Sequence, residues 1–195
     1  MRSTQTQRFL TALEAAFATA TMNEVACAAV ARVFAAALNP GQAGAGLGED
    51  LAVTGLFPAA LAPLIGRADA LGDLALALQD LAPDLVWTTR KSVGPTASAG
   101  FATAHANCLL MGPGGMEARE DFWVGLSLMA PGTRYPDHDH APEEVYLVLS
   151  PGQFWHGDAE WITPGVGGTV HNVPGIRHAM RAQEAPFLAI WVLPV

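Results

Sequence analysis

The 195-residue sequence predicts a mainly β protein, a small barrel of short strands preceded by an α-helical N-terminal region. Three observations predict it. Apolar residues recur at helical spacing from the N-terminus as far as Leu81. After Pro83 the chain turns to short β-branched and aromatic runs punctuated by Gly, Pro and Asp, the pattern of an all-β sandwich or barrel. A histidine-rich segment at 132–152, GTRYPDHDHAPEEVYLVLSPG, is answered downstream by 168–178, GTVHNVPGIRH. The length suits one domain with a helical annex. We divide it into residues 1–82, a helical region packed on the barrel, and residues 83–195, the barrel with a metal site.

Phe9, Leu10, Leu13, Ala16 and Phe17, then Val25, Ala28, Ala29, Val33 and Phe34, mark two helices between Thr4 and about Leu38. Thr21-Met-Asn-Glu24 has the form of a capping box and places the break near Thr21. Asn39-Pro40-Gly41 stops the second helix. The glycine-rich residues 41–56 read as a loop. Two shorter, alanine-rich helices follow at 58–65 and 69–81. Strands are expected at 85–89, 101–111, 122–129, 145–149, 154–156, 168–173 and 187–193.

Composition narrows the function. An apolar fraction of 51% is ample for a packed core, and 18 acidic against 10 basic residues leave a formal charge of −8. Such a balance argues against a nucleic-acid partner, which calls for a basic stripe. The segment before Glu14 lacks the uninterrupted apolar run of a secretory signal. No charge-free stretch of about 20 apolar residues is present to span a membrane. Cys27 and Cys108 are isolated, so reduced thiols and a cytoplasmic location are expected. The GPGG at 112–115 is followed by no Lys-Ser/Thr and is no phosphate loop, and Ser150-Pro-Gly is no nucleophile elbow.

His138 and His140 point the same way on an extended backbone, because strand side chains alternate faces. Glu144 lies another even step on, and His178 ends the downstream segment. Three imidazoles and a carboxylate form a mixed nitrogen and oxygen set. It suits one divalent transition metal ion, with Fe, Mn, Ni, Co and Zn all admissible. Tyr146 follows Glu144 by two residues and shares its face.

The spacings G-x5-H-x-H-x3-E (Gly132, His138, His140, Glu144) and G-x5-P-x3-H (Gly168, Pro174, His178) resemble the paired motifs of the cupin superfamily. That resemblance implies a jelly-roll (double-stranded β-helix) barrel in which these three histidines and the glutamate hold one metal. The glycine closing the first motif arrives one residue late, as Gly152. The second motif reaches its histidine one residue early, and Ala182 stands where many cupins have asparagine. The segment Y-P-x-H-x-H-x-x-x-E-x-Y, with a helical N-terminal region and a late strand carrying Trp191, resembles more narrowly the cupin-type dimethylsulfoniopropionate lyases. These cleave that zwitterion to dimethyl sulfide and acrylate. The resemblance implies Tyr146 as base and Tyr135 at the substrate. Other cupin activities, such as an iron dioxygenase or a non-catalytic small-ligand binder, share the same ligand residues.

The implied chemistry is coherent. β-Elimination removes a weakly acidic proton beside a carboxylate, which a Lewis-acidic metal assists. A tyrosine with a pKa of about 10 becomes a base near a dication. The sulfonium leaves as a neutral sulfide, and beforehand it is a soft cation suited to aromatic faces. Of the tryptophans, Trp123, Trp155 and Trp191 are assigned to the substrate, with Trp161 a further candidate. Only one of Phe122 and Trp123 can face inward. His105 joins the substrate set because TAHANC is polar within an apolar strand, whereas His171 reads as structural and His156 as an exposed turn residue. The expected partner is a small zwitterionic sulfonium carboxylate, with no nucleic acid, no membrane, and a homodimer left open.

Overall fold

The computed structural model describes residues 2–44 and 46–195. Helix α1 (Thr4–Thr19) is capped by the Ser3 hydroxyl, which accepts the Thr6 N–H at 3.1 Å. Helix α2 (Glu24–Ala37) is capped by Asn23, whose side chain accepts the Ala26 N–H at 2.8 Å. The break lies where the sequence placed it, but Thr21 is not the cap. An N-cap must directly precede the first helical residue, and the Thr21 carbonyl instead accepts the Thr169 hydroxyl at 2.8 Å. The expected loop at 41–56 includes Ala45, outside the described residues. Within that stretch lie a two-residue strand, β1 (Gln42–Ala43), and a 3-10 turn over Ala52–Leu56. Helix α3 (Phe57–Leu61) ends earlier than expected, just before Pro63, which has no N–H to continue the ladder. Helix α4 (Ala70–Leu81) starts from Asp69, which accepts the Gly72 N–H at 3.1 Å.

Strand β2 (Trp87–Thr88) precedes a single helical turn, α5 (Phe101–Ala104), where a strand had been expected from residue 101. Gly100, at φ 78°, supplies the left-handed residue that launches this turn. Then come β3 (His105–Met111), β4 (Glu117–Ala118), β5 (Phe122–Met129), β6 (Glu144–Val148), β7 (Gln153–His156), β8 (Thr169–Asn172), β9 (His178–Arg181) and β10 (Phe187–Pro194). One sheet runs β1-β4-β3-β5-β10-β6-β8, with β2 on β3, and a second contains β7 and β9. Strand β9 carries no strand signal of its own, because HAMR is too short and polar to give one.

The central strands β5, β6 and β10 of the larger sheet are buried on both faces, and period-two alternation divides their residues between two cores. Val124, Leu126 and Leu128 of β5, Val145 and Leu147 of β6, and Leu188, Ile190 and Val192 of β10 join the helices in one core. Here α1 packs on α4, while α2 and α3 pack on β10. The opposite face sends Tyr146, Val148, Val170, Phe187 and Ala189 against Phe154 of β7 and Met180 of β9. The barrel interior therefore lies between the two sheets, and the helices cover its outer wall. Gly152 serves this packing, because a Cβ there would stand 2.1 Å from the Phe187 ring.

Candidate metal centre

His138 and His140 lie on an extended segment outside the ladders. His138 and His178 form an isolated antiparallel bridge, His138 N–H to His178 O at 3.0 Å and His178 N–H to His138 O at 2.9 Å. The Gly175 N–H reaches the His140 carbonyl at 2.9 Å, so backbone bonds join the upstream and downstream motifs. All three imidazoles are held alike. His138 Nδ1 donates to the Pro136 carbonyl at 2.9 Å, His140 Nδ1 to Pro142 at 2.8 Å and His178 Nδ1 to Ile176 at 2.9 Å. With Nδ1–H fixed, each neutral ring presents a bare Nε2 lone pair.

Ligand atoms of these three histidines lie within 4.8 Å of one another. Glu144 Oε2 stands 3.2 Å from His178 Nε2 and 3.4 Å from His140 Nε2. Among the described residues, His140 Nε2 and His178 Nε2 are buried without a hydrogen-bond partner. Converging lone pairs beside a carboxylate repel one another unless positive charge sits among them. The residues thus fit a cation, and this largely buried three-histidine group can hold a metal ion.

The titration behaviour follows the same electrostatics. Burial, and then the neighbouring His178, hold the His138 pKa down to about 3. Burial opposes the Glu144 charge, but His140 and His178 outweigh it and leave that carboxyl at about 2. Burial likewise works against protonated His140, yet the Glu144 carboxylate prevails and raises its pKa.

Beside the cluster is a cavity of about 270 Å³ lined by His138, His140, Glu144, Tyr135, Tyr146, Trp123 and Trp191. Tyr146 shares the inward face of β6 with Glu144. Burial, and next the Glu144 charge, push its phenol well above its ordinary pKa of 10. Tyr135 is raised too, by burial, against a hydrogen bond from Asn107. A polar chain runs along the wall: Trp191 Nε1 donates to Ser127 Oγ (3.2 Å), Ser127 Oγ to Asn107 Oδ1 (2.9 Å), and Asn107 Nδ2 to the Tyr135 hydroxyl (2.9 Å). Trp123 Nε1 is buried with no protein partner among the described residues.

Two expected substrate residues lie elsewhere. Phe154 is buried against Tyr146 and Phe187, which sets the phase of β7 and turns its neighbour Trp155 outward. Trp155 packs on Trp161, and that ring lies under the Arg181 guanidinium. His105 shares the Asn107 face but sits outside the cavity, stacked on Phe101 at 3.7 Å with Tyr135 edge-on. Both its nitrogens are engaged, Nδ1 by the Phe101 carbonyl and Nε2 by the Arg90 N–H. His171 faces the helices and pairs with Glu143, which Arg32 of α2 also grips. His156, expected in an exposed turn, is the half-buried last residue of β7 and bonds Asn172.

Five polar residues here were not legible in the sequence: Thr88, Arg90, Asn107 and Ser127 in the cavity wall, and Asn172 against Glu144. Alternation puts Asn172 on the β8 face of Val170 and opposite His171, but only the pairing of β8 in the folded sheet shows that this face is inside.

A family model described as dimethylsulfoniopropionate (DMSP) lyase matches residues 25–189. The chain belongs to the DMSP lyase family. It is 31% identical over 104 residues to the DMSP lyase DddQ of Ruegeria pomeroyi, covering 50% of this chain and 49% of that protein. It is also 31% identical over 120 residues to the DddL protein of Cereibacter sphaeroides, covering 62% of this chain and 50% of that protein. The chain thus spans about half the length of the curated relatives it matches. The crystal structure of Ruegeria pomeroyi DddQ superposes with a TM-score of 0.76 at 22% identity, over 100% of this chain and 93% of that one. A chain from the crystal structures of DMSP lyases RdDddP and RnDddQII gives 0.67 at 20% identity, over 98% and 92%. At these identities the likeness shows the fold, a cupin-type barrel with a helical N-terminal region.

Proposed function

We propose that this member of the family is a metal-dependent carbon–sulfur lyase that cleaves DMSP to dimethyl sulfide and acrylate. In this reading His138, His140, Glu144 and His178 hold one divalent ion, with Fe, Mn, Ni, Co and Zn all compatible with the donor set. The observation that carries it is the convergence of three pinned imidazoles and Glu144 beside Tyr146, within a family of DMSP lyases. When bound, the metal supplies Lewis acidity to the substrate carboxylate.

Tyr146 is the base. Its oxygen takes the proton from the carbon next to the carboxylate, that C–H pair becomes the new double bond, and the C–S pair leaves with sulfur as neutral dimethyl sulfide. Burial and Glu144 keep this phenol protonated in the metal-free chain, so Tyr146 acts only when positive charge offsets them. Tyr135, oriented by Asn107, contacts the substrate. Trp123 and Trp191 give the sulfonium aromatic faces, while Arg90, whose guanidinium lies 5.7 Å from the Tyr135 ring centre, marks a positive end for the carboxylate. Residues 1–82 close the outer wall and 83–195 carry the chemistry. Two free cysteines, Cys27 and Cys108, favour a reducing cytoplasm, and no described helix is long and apolar enough to cross a membrane.

The test is headspace detection of dimethyl sulfide from protein of known metal content, with and without chelator. Tyr146→Phe should lower turnover by about 10²–10⁴-fold while metal stays bound. Undiminished turnover in that variant removes Tyr146 as base, and no dimethyl sulfide from metal-loaded wild type overturns the assignment.

A further inference from the structure

The residues assigned to the metal come from both sheets. Glu144 opens β6 in the larger sheet, and His178 opens β9 in the smaller one. Each faces a polar residue across its own ladder. Asn172 of β8 is in register with Glu144, and His156 of β7 is in register with His178. These two polar residues bond each other across the gap. Asn172 Nδ2 donates to Glu144 Oε2 at 3.1 Å, and Asn172 Oδ1 lies 3.0 Å from His156 Nδ1. Asn172 is only 2% exposed and Glu144 4%, so water does not compete for these bonds.

The chemistry of the bridge fixes its direction. A carboxylate only accepts, so the Asn172 NH₂ must face Glu144 and its carbonyl must face His156. A carbonyl also only accepts, so His156 must carry its proton on Nδ1. With that N–H in place, flipping the amide would set two acceptors against each other and NH₂ against N–H. Asn172 approaches the same oxygen, Oε2, that stands nearest His140 and His178. It thereby takes one lone pair of Oε2 and leaves the remainder for an ion.

We propose that Asn172 and His156 are positioning residues of the metal centre, a sheet-to-sheet bridge that fixes the Glu144 carboxylate and its spacing from His178. Neither touches substrate. The proposal rests on the assignment of His138, His140, Glu144 and His178 as ligands, and it predicts an effect on ion binding independent of turnover. Residues that hold a ligand in place this way are worth about 10–100-fold in metal affinity.

The experiment titrates the metal-stripped 195-residue chain with Co²⁺, followed by its visible absorption, and with Zn²⁺ in competition with a chromophoric chelator. Thermal unfolding of each metal-free variant is recorded alongside. His156→Leu fills similar space without a donor and should bind both ions about 10-fold more weakly with an altered Co²⁺ spectrum. His156→Asn places an N–H near the position of Nδ1 and should restore affinity and spectrum. Asn172→Asp, which sets a second carboxylate against Glu144, should lose about 10–100-fold. Half-buried His156 at a strand end keeps the test decisive should the Asn172 variant fail to fold. Wild-type affinity and spectrum in His156→Leu, or equal losses in His156→Leu and His156→Asn, overturn the bridge. Wild-type protein that binds neither ion overturns the ligand assignment itself, and the bridge with it.

Discussion

His138 and His178 hold each other by two backbone hydrogen bonds, 3.0 and 2.9 Å, with their rings 4.1 Å apart. The backbone pair does not depend on either side chain. His178→Ala should therefore abolish stoichiometric metal binding while the metal-free protein melts within a few degrees of wild type. Metal analysis and parallel melts of the stripped proteins check it. A large fall in the metal-free melting temperature would show that the ring, not the bridge, holds the motifs together.

Asn107 both donates to the Tyr135 hydroxyl and accepts from Ser127, so its amide cannot turn. Asn107→Ala leaves both partners short of a bond in a buried wall, at a cost of about 1–3 kcal/mol. It also frees the Tyr135 phenol to rotate. Steady-state kinetics should show a raised KM with metal content unchanged, and an unaltered KM would remove Tyr135 from the substrate wall.

Gly125 lies under Trp191. A Cβ there would stand 2.2 Å from the indole and 2.6 Å from the Cys108 carbonyl. Gly125→Ala must push the ring off its Ser127 partner and into the cavity, costing about 1–3 kcal/mol. Chemical denaturation measures the cost, and a blue or red shift in tryptophan emission reports the displaced ring.

A second cavity, of about 370 Å³, lies near the N-terminus where Arg2 and Arg119 grip Glu117. Burial opposes the Glu117 charge, but hydrogen bonds from Arg2, the Gly41 N–H and Arg119 bring its pKa from an ordinary 4.5 down to about 2. A depressed folded-state pKa contributes stability that is complete above pH 4.5 and is lost as pH falls toward 2. Glu117→Gln should cost about 3 kcal/mol at neutral pH by leaving buried guanidinium charge unpaired. The gap between wild type and variant should narrow steadily as melts are repeated from pH 6 down to about pH 3, and a gap independent of pH would contradict the ion-pair account.

The clustering of His138, His140, Glu144 and His178 was legible because four residues of the right kinds fall at fixed offsets, and those offsets survive folding whether or not the backbone is a ladder strand. His138 and His140 converge from an irregular extended segment, which the spacing alone could not distinguish from a strand. What stayed hidden is phase. Alternation says that Phe154 and Trp155 point opposite ways, yet which one is inside depends on Tyr146 and Phe187, remote in sequence. Singling out His171 in GTVHNV overlooked Asn172 for the same reason, and placing His105 in the cavity overlooked Asn107 two residues on. β9 gave no signal because its strand character comes from its partners, β7 and the His138 bridge, and not from its own composition.

Three imidazoles tethered through Nδ1 to carbonyls of their own segment cannot swing to suit ions of different radius. Little rotational freedom is left to lose when a cation enters, and the nitrogen triangle is dictated by the polypeptide instead of by its guest. For the proposed lyase, exchanging one divalent ion for another should then leave the architecture nearly untouched and register chiefly in the rate of dimethyl sulfide release.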